Sequence, residues 1–485
     1  MKVCLICEGS YPYVAGGVSG WVQMIVEKFT DIEFVIWSIA TTPDEMKDYK
    51  YALPSNVAEV RTIYLSERGF QSTQKKISLS PKEKAALKQL IYENQGGNIP
   101  WSDIMELFSK NKDVLSDILM GPDFFDIAVD YYRDHHTRVC FNSFLWNLRA
   151  MYFPLASAMS GELPVADLYH SVSTGYAGIL GSIASYIQKK PFLITEHGIY
   201  TREREEEIIK SDWVSNEFKN NWMDFFNKLS GIAYYRASRV ITLFETNKQL
   251  EIELGCPPEK IGIVPNGVDV ASYESLQSEG KLPKDCFNIG VVARVVPIKD
   301  IKTMIYAFDA AKRRNHRMAL YILGPAEEDK EYYAECLQLI QEIGVEGIFF
   351  LGHVNIREYL PDFDMMLLTS ISEGQPLAVL EGMAAYLPQV CTNVGSCANL
   401  LYGFGEDKLG EAGIIVPIMD VEKIASAIVK LATDSTLRSE MGRVGHERVS
   451  RYYQKKDFLE KYYTLYRQLI DDSSKGEEEH GGNRV

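Results

Sequence analysis

Asp364-Met365-Met366-Leu367-Leu368-Thr369-Ser370 runs through Ile371-Ser372-Glu373-Gly374-Gln375 into Pro376-Leu377-Ala378-Val379-Leu380-Glu381. The first piece is a short apolar run and reads as a buried strand. Pro376 suits the first turn of a following helix, where a missing N–H costs little. Glu373 then lies in the strand-to-helix loop and Glu381 a turn or more into the helix. In parallel sheets ligands bind beyond the carboxyl ends of the strands. A helix N-terminus adds free N–H groups and partial positive charge, which suit a phosphate or sugar hydroxyls. Two carboxylates here can accept hydrogen bonds from such hydroxyls.

The same alternation extends through the chain. It predicts strands near 2–7, 33–39, 58–65, 167–172, 192–196, 239–243 and 261–264, with helices such as 18–29, 175–188 and 245–254 between them. Residues 75–160 break the rhythm with charged helix-forming segments, for example Pro81 to Lys88, and read as a helical insertion. Residues 272–286 are polar, contain Gly280 and Pro283, and suit a linker. The alternation then restarts, with strands at 289–293, 319–323, 348–351, 365–369, 389–393 and 414–416 and helices at 300–314, 328–343 and 376–386. Such a pattern means parallel sheets covered by helices on both faces. The expected fold is α/β, two Rossmann-like domains facing each other across a cleft. Residues 1–272 would form the N-terminal domain with its insertion. Residues 287–450 would form the second Rossmann-like domain, 451–472 a helix packing back on the N-terminal domain, and 473–485 a disordered polar tail.

Composition bounds the function. A chain of 485 residues with 46% hydrophobic content supports two or three cores. A net charge of −15 argues against nucleic acid and against direct docking on anionic lipid. No apolar run approaches the roughly 18–20 residues of a membrane span. The start, Met1 to Glu8, reads as a core strand rather than a signal peptide, so the expected location is the cytoplasm. Eight scattered cysteines are then expected to be reduced. Cys4 and Cys7 form a C-x-x-C, but their spacing on a strand sends them to opposite faces, as core residues.

Other residues fall at ligand-facing strand ends. Arg294 and Lys299 follow the strand 289–293, and two cations there can neutralise a diphosphate. Gly16-Gly17 follows the first strand and opens a helix, where glycine lets a ligand approach the backbone closely. Glu196-His197-Gly198 ends the strand 192–196, and Pro265-Asn266-Gly267-Val268-Asp269 is a turn by its chemistry. No metal set is visible. Asp362-x-Asp364 reads as structural because Asp364 opens a strand, and His135-His136 lacks a third ligand at zinc spacing.

These residues resemble a family. Glu373 to Glu381 has the E-x7-E spacing of retaining glycosyltransferases of the two-domain GT-B architecture, Arg294 with Lys299 matches their diphosphate clamp, and Pro265 to Asp269 matches their N-G-V-D turn. The set is similar to glycosyltransferase family four. It is closer still to the transferases of Pel exopolysaccharide synthesis, on Tyr11 to Trp21, Phe144 to Arg149, Asp167 to Ser171, Thr195 to Arg204 and Val295 to Thr303. The resemblance implies a retaining transfer of sugar from a nucleotide sugar, a UDP-sugar, to a polysaccharide acceptor. It makes His197, Arg294, Lys299 and Glu373 the catalytic residues. Gly16, Gly17, Arg294, Lys299, Glu373, Gly374, Gln375, Pro376, Leu377 and Glu381 would bind the donor, with Glu381 on the ribose. It implies no cofactor and no required metal, since the cations do a metal's work. It also implies partners in an inner-membrane Pel synthesis and export complex, and so peripheral membrane attachment through them. Gln375-Pro376 stands where the wider family often has an aromatic and a glycine, which leaves the donor sugar open. A hydrolysing nucleotide-sugar epimerase and a non-catalytic nucleotide-binding subunit of a synthase share the same framework.

Overall fold

The structure is a computed structural model and describes residues 1–43, 48–65, 77–93, 98–135, 138–315 and 317–481. It divides into two compact units, residues 1–263 with 462–485, and residues 264–461.

In the first unit the strands are β1 (Lys2–Glu8), β2 (Glu33–Ala40), β3 (Val57–Tyr64), β4 (Leu168–Ser171), β5 (Phe192–Glu196), β6 (Arg239–Thr242) and β7 (Ile261–Ile263). They form one parallel sheet in the order β3-β2-β1-β4-β5-β6-β7. The central strands bury both faces, which is why they read as near-continuous apolar runs rather than as alternation. Cys4 and Cys7 are buried, as free thiols. Helices Pro81–Tyr92, Trp101–Asn111, Leu115–Met120, Pro122–His135 and Phe141–Met159 fill the expected insertion and share one core with the sheet. Its residues 75–76, 94–97 and 136–137 lie outside the described residues, and with them His136. The helices Tyr200–Lys210 and Lys219–Arg236, between β5 and β6, were not among the helices the sequence reading named.

The second unit repeats the plan with β8 (Phe287–Val292), β9 (Met318–Leu323), β10 (Ile348–Gly352), β11 (Met365–Leu368), β12 (Gln389–Thr392) and β13 (Gly413–Val416). Their order is β10-β9-β8-β11-β12-β13, again parallel. In each sheet the order reverses beside its first strand, between β1 and β4 and between β8 and β11. That switch point is where such sheets open a crevice for ligands.

Two sequence expectations need correction. Residues 272–286 are not a free linker: Leu282 is buried, Leu276 and Cys286 pack against the same small core, and Asp362 accepts from the Lys281 N–H at 2.9 Å. The polar tail expected to be disordered from 473 is helical as far as Gly481, continuing the helix that starts at Lys455. That helix carries Tyr462 and Tyr466, fully buried and hydrogen-bonded to Thr195 (3.0 Å) and His170 (2.7 Å), so the docked aromatic stretch anchors the turns beyond it.

Candidate active site

The second unit assembles its site from loops that its own backbone ties together. After β8 the chain makes a 3₁₀ turn, Pro297–Lys299, and Asp300 turns into the left-handed region (φ 49°) to cap the helix Ile301–Arg314, accepting from the Thr303 N–H. The exit of β11 is laced to that turn. Thr369 Oγ1 donates to the carbonyls of Lys299 and Asp300 (3.0 and 3.2 Å), and the Ile371 N–H donates to the Ile298 carbonyl at 2.9 Å. Lys299 is thereby brought to Glu373, with Nζ 2.5 Å from Oε1. The same oxygen accepts from Ser370 Oγ at 2.6 Å. The pair is largely shielded, with side-chain exposures of 19% and 12%.

The other expected donor-binding residues surround this pair with different partners. Arg294 forks onto Glu328 at 2.5 and 2.7 Å and is 45% exposed. The Gly374 carbonyl accepts from the Ser396 N–H at 2.9 Å. Gly395 (φ 51°) makes that approach possible, since any side chain there would overlap the Gly374 carbonyl. Gln375 is buried and its amide oxygen accepts from the Asn266 N–H at 2.6 Å. The expected contact of this amide with donor hydroxyls is corrected to that extent: its oxygen holds the Pro265–Asp269 turn onto the loop. Pro376 is the cap rather than the first helical residue, and Leu377 opens the helix Leu377–Ala384. Glu381 is not joined to the Lys299–Glu373 pair. Burial pushes its pKa up, and a hydrogen bond from the Tyr273 hydroxyl and the nearby Arg357 charge pull it back.

His197, Gly16 and Gly17 belong to the first unit. Gly16 caps the helix Gly17–Lys28 in extended backbone, and its N–H reaches Tyr51 Oη at 3.3 Å. A Cβ at Gly16 or Gly17 would meet nothing within 4 Å, and neither position has a left-handed φ. Nothing among the described residues demands glycine there. His197 follows β5 with its ring edge-on to Trp21, centroids 5.0 Å apart. Burial lowers its pKa to about 4, so the imidazole is neutral near physiological pH. Its Nε2 is shielded from water and has no partner among the described residues.

Several site residues went unnoticed in the sequence. Glu328 and Tyr273 have no local signal, because each matters only through a partner far along the chain, whereas Ser370 lies three residues from its partner Glu373. Glu8 had one: it ends an apolar strand at the switch point. It is held there by the Ala177 N–H (3.1 Å) and the Tyr200 hydroxyl (3.0 Å). Asp364 is structural, accepting from the Asn288 N–H at 2.9 Å. Among the described residues no group of three or more His, Cys, Asp or Glu side chains is placed to share a metal ion.

Comparison with known proteins places this geometry. Residues 1–259 match the family described as "Domain of unknown function (DUF3492)", and residues 286–434 match "Glycosyl transferases group 1". The chain is 26% identical over 313 residues to the capsular polysaccharide biosynthesis glycosyltransferase CapM of Staphylococcus aureus, covering 62% of this chain and 76% of that protein. It is 27% identical over 289 residues to the Escherichia coli UDP-Gal:alpha-D-GlcNAc-diphosphoundecaprenol alpha-1,3-galactosyltransferase, covering 56% and 67%. The fold is shared with Anabaena Alr3699/HepE, solved in complex with UDP, at a TM-score of 0.59, 14% identity and coverage of 96% of this chain and 100% of that one. Two parallel-sheet Rossmann-like units of this kind are the GT-B architecture. The chain belongs to the DUF3492 family, and its second unit carries the match to the group 1 glycosyltransferases.

Proposed function

We propose that the chain is a retaining glycosyltransferase. It moves a sugar from a nucleotide sugar, a UDP-sugar, to a growing exopolysaccharide of the Pel type, in the manner of PelF. The observation that carries the reading is the pair of cations after β8, Arg294 and Lys299, each held by a carboxylate that a diphosphate can replace. As the bond from the sugar's anomeric carbon to the diphosphate breaks, negative charge grows on the departing oxygen, and fixed cations stabilise that charge. The acceptor hydroxyl bonds to the same carbon on the same face and passes its proton to the leaving phosphate. Glu373, freed from Lys299, accepts from donor-sugar hydroxyls and faces the oxocarbenium-like centre. Glu381 takes the ribose hydroxyls, and His197, neutral, contacts the donor sugar near the reacting carbon. The Gly16-Gly17 backbone offers close approach where no side chain stands.

The choice of UDP rests on the resemblance, with the E. coli relative named for UDP-Gal as support. Polysaccharide as the product class is supported by the name of the S. aureus relative. The Pel assignment rests on the long stretches Tyr11 to Trp21 and Thr195 to Arg204. It brings with it a cytoplasmic site of action and attachment to an inner-membrane Pel complex through partners. Among the described residues no helix is long and apolar enough to cross a membrane. With two cations on the diphosphate the reaction needs no metal.

The test is a calorimetric panel of nucleoside diphosphates and nucleotide sugars, followed by donor consumption with and without acceptor and EDTA. Uridine compounds should bind best, consumption should depend on acceptor, and chelation should leave it intact. Release of nucleotide without any acceptor, with the sugar epimerised, would identify an epimerase. Loss of activity with EDTA, restored by magnesium or manganese, would overturn the metal-free step.

A further inference from the structure

The first unit holds a cavity of about 620 Å³ at the carboxyl ends of β1 and β5, lined among others by Glu8, Ser10, Ser173, His197, Glu203 and Arg204. We infer that this cavity receives the end of the acceptor glycan and selects one that carries no anionic group. The inference rests on the transferase reading above and names the substrate class on its acceptor side.

Charge is the first argument. Glu8 is locked in place by Ala177 and Tyr200. Glu203 folds over Gly198, where even a methyl group would overlap its Oε1. Glycine at 198 is therefore what lets this carboxylate stand at the cavity. Burial raises the pKa of both carboxyls, and the adjacent Arg204 pulls them back. Among the described residues Arg204 is the cation of the lining, and it is partly engaged: Nη1 pairs with Glu207 Oε2 at 2.6 Å and the guanidinium lies 5.5 Å from the Tyr200 ring centroid, while its buried Nε has no partner among those residues. His197 adds no positive charge, because its burial keeps it neutral. A phosphate or carboxylate entering here would meet two carboxylates and one cation shared with a third, and like charges at such range repel.

Hydrogen-bonding capacity is the second. Ser10 and Ser173 line this cavity, and their Oγ atoms, shielded from water, have no partner among the described residues. Hydroxyls rotate to suit a partner and can give or take a hydrogen bond, so they match sugar hydroxyls. The walls include the rings of Tyr176, Tyr200 and Phe226, flat surfaces suited to the apolar face of a pyranose.

The experiment uses the full chain and two matched probes: a neutral oligosaccharide and the same oligosaccharide with a phosphate on its receiving residue. Binding is measured by calorimetry without donor, and kcat/KM with the donor chosen by the panel. The wild type should favour the neutral probe at least tenfold in both. Glu203→Gln should narrow that ratio, and Glu203→Lys should bring it to parity or reverse it. Gly198→Ala, which displaces the Glu203 carboxylate, should act in the same direction as Glu203→Gln, with thermal melts confirming that each variant is folded. A wild type that prefers the phosphorylated probe, binds neither probe, or keeps its ratio in both Glu203 variants overturns the inference. Failure of the transferase reading shows separately, as absent donor consumption, while the binding ratio still reads the cavity.

Discussion

Glu373→Gln separates the two duties of the ion pair at the centre of the second unit. The glutamate neutralises Lys299 at 2.5 Å and accepts from Ser370 at 2.6 Å. The glutamine keeps the shape and the bond from Ser370 but loses the charge. A hydrogen bond to a charged partner at this burial contributes roughly 1.5–3 kcal/mol. The unit has about 200 residues, and in domains of that size each kcal/mol moves Tm by ~2–4 °C, so a loss of roughly 3–12 °C is expected. Binding should move the other way. In the free protein a diphosphate must displace Glu373 from Lys299, and the variant removes that competitor. Affinity for UDP should therefore hold or tighten, by up to about tenfold if some 1.4 kcal/mol of competition is relieved. The maximal rate should fall, because the carboxylate proposed to face the developing positive charge on the sugar is gone. The assay is calorimetric affinity for free UDP beside initial rates at saturating donor. A variant that binds UDP ten times more weakly while keeping its rate would refute the reasoning.

Three further outcomes follow from the same structure. Glu381→Gln should raise the donor dissociation constant with little change in maximal rate, since the ribose it is proposed to hold does not change during transfer; initial-rate kinetics with calorimetry check this, and an unchanged affinity would count against it. Arg448 is fully buried, bonded to Asp407 and to the carbonyls of Leu400, Leu401 and Gly410, so Arg448→Met should destabilise the second unit by about 3–5 kcal/mol, read by chemical denaturation, through the carboxylate it leaves unpaired. Burial raises the pKa of Glu196 and Glu251 in the first unit, each also raised by a carboxylate neighbour. Their folded pKa values exceed the unfolded ones, so their stabilisation is complete below the unfolded carboxylate range and is lost as pH rises through neutrality. Thermal melts of wild type should fall across that window, and Glu251→Gln should flatten the slope.

Much of the fold was legible because it is written locally. A strand buried on both faces needs an unbroken apolar run, as in β5 and β9, and helix starts such as that at Ser80-Pro81 carry their own capping chemistry. The helices Tyr200–Lys210 and Lys219–Arg236 were missed because charge dominates the first and no clean apolar stripe marks the second. The tail was misjudged for a related reason: a polar sequence gives little sign that it continues the helix from Lys455 that Tyr462 and Tyr466 anchor.

By itself the sequence determined two parallel-sheet units, the strand ends at which Gly16, Gly17, His197, Arg294, Lys299 and Glu373 stand, and the helix that carries Glu381, because periodicity and turn chemistry act over a few residues. Only the tertiary structure decided which of these meet. It joined Lys299 to Glu373 across 74 positions, gave Arg294 to Glu328 and Glu381 to Tyr273, turned the Gln375 amide oxygen onto Asn266, and set Glu203 over Gly198 at a cavity. The physical reason is that a charge or an amide chooses its partner by distance and burial, and both are set by how β8 and β11 lie side by side and where their loops leave the sheet, which no local pattern records.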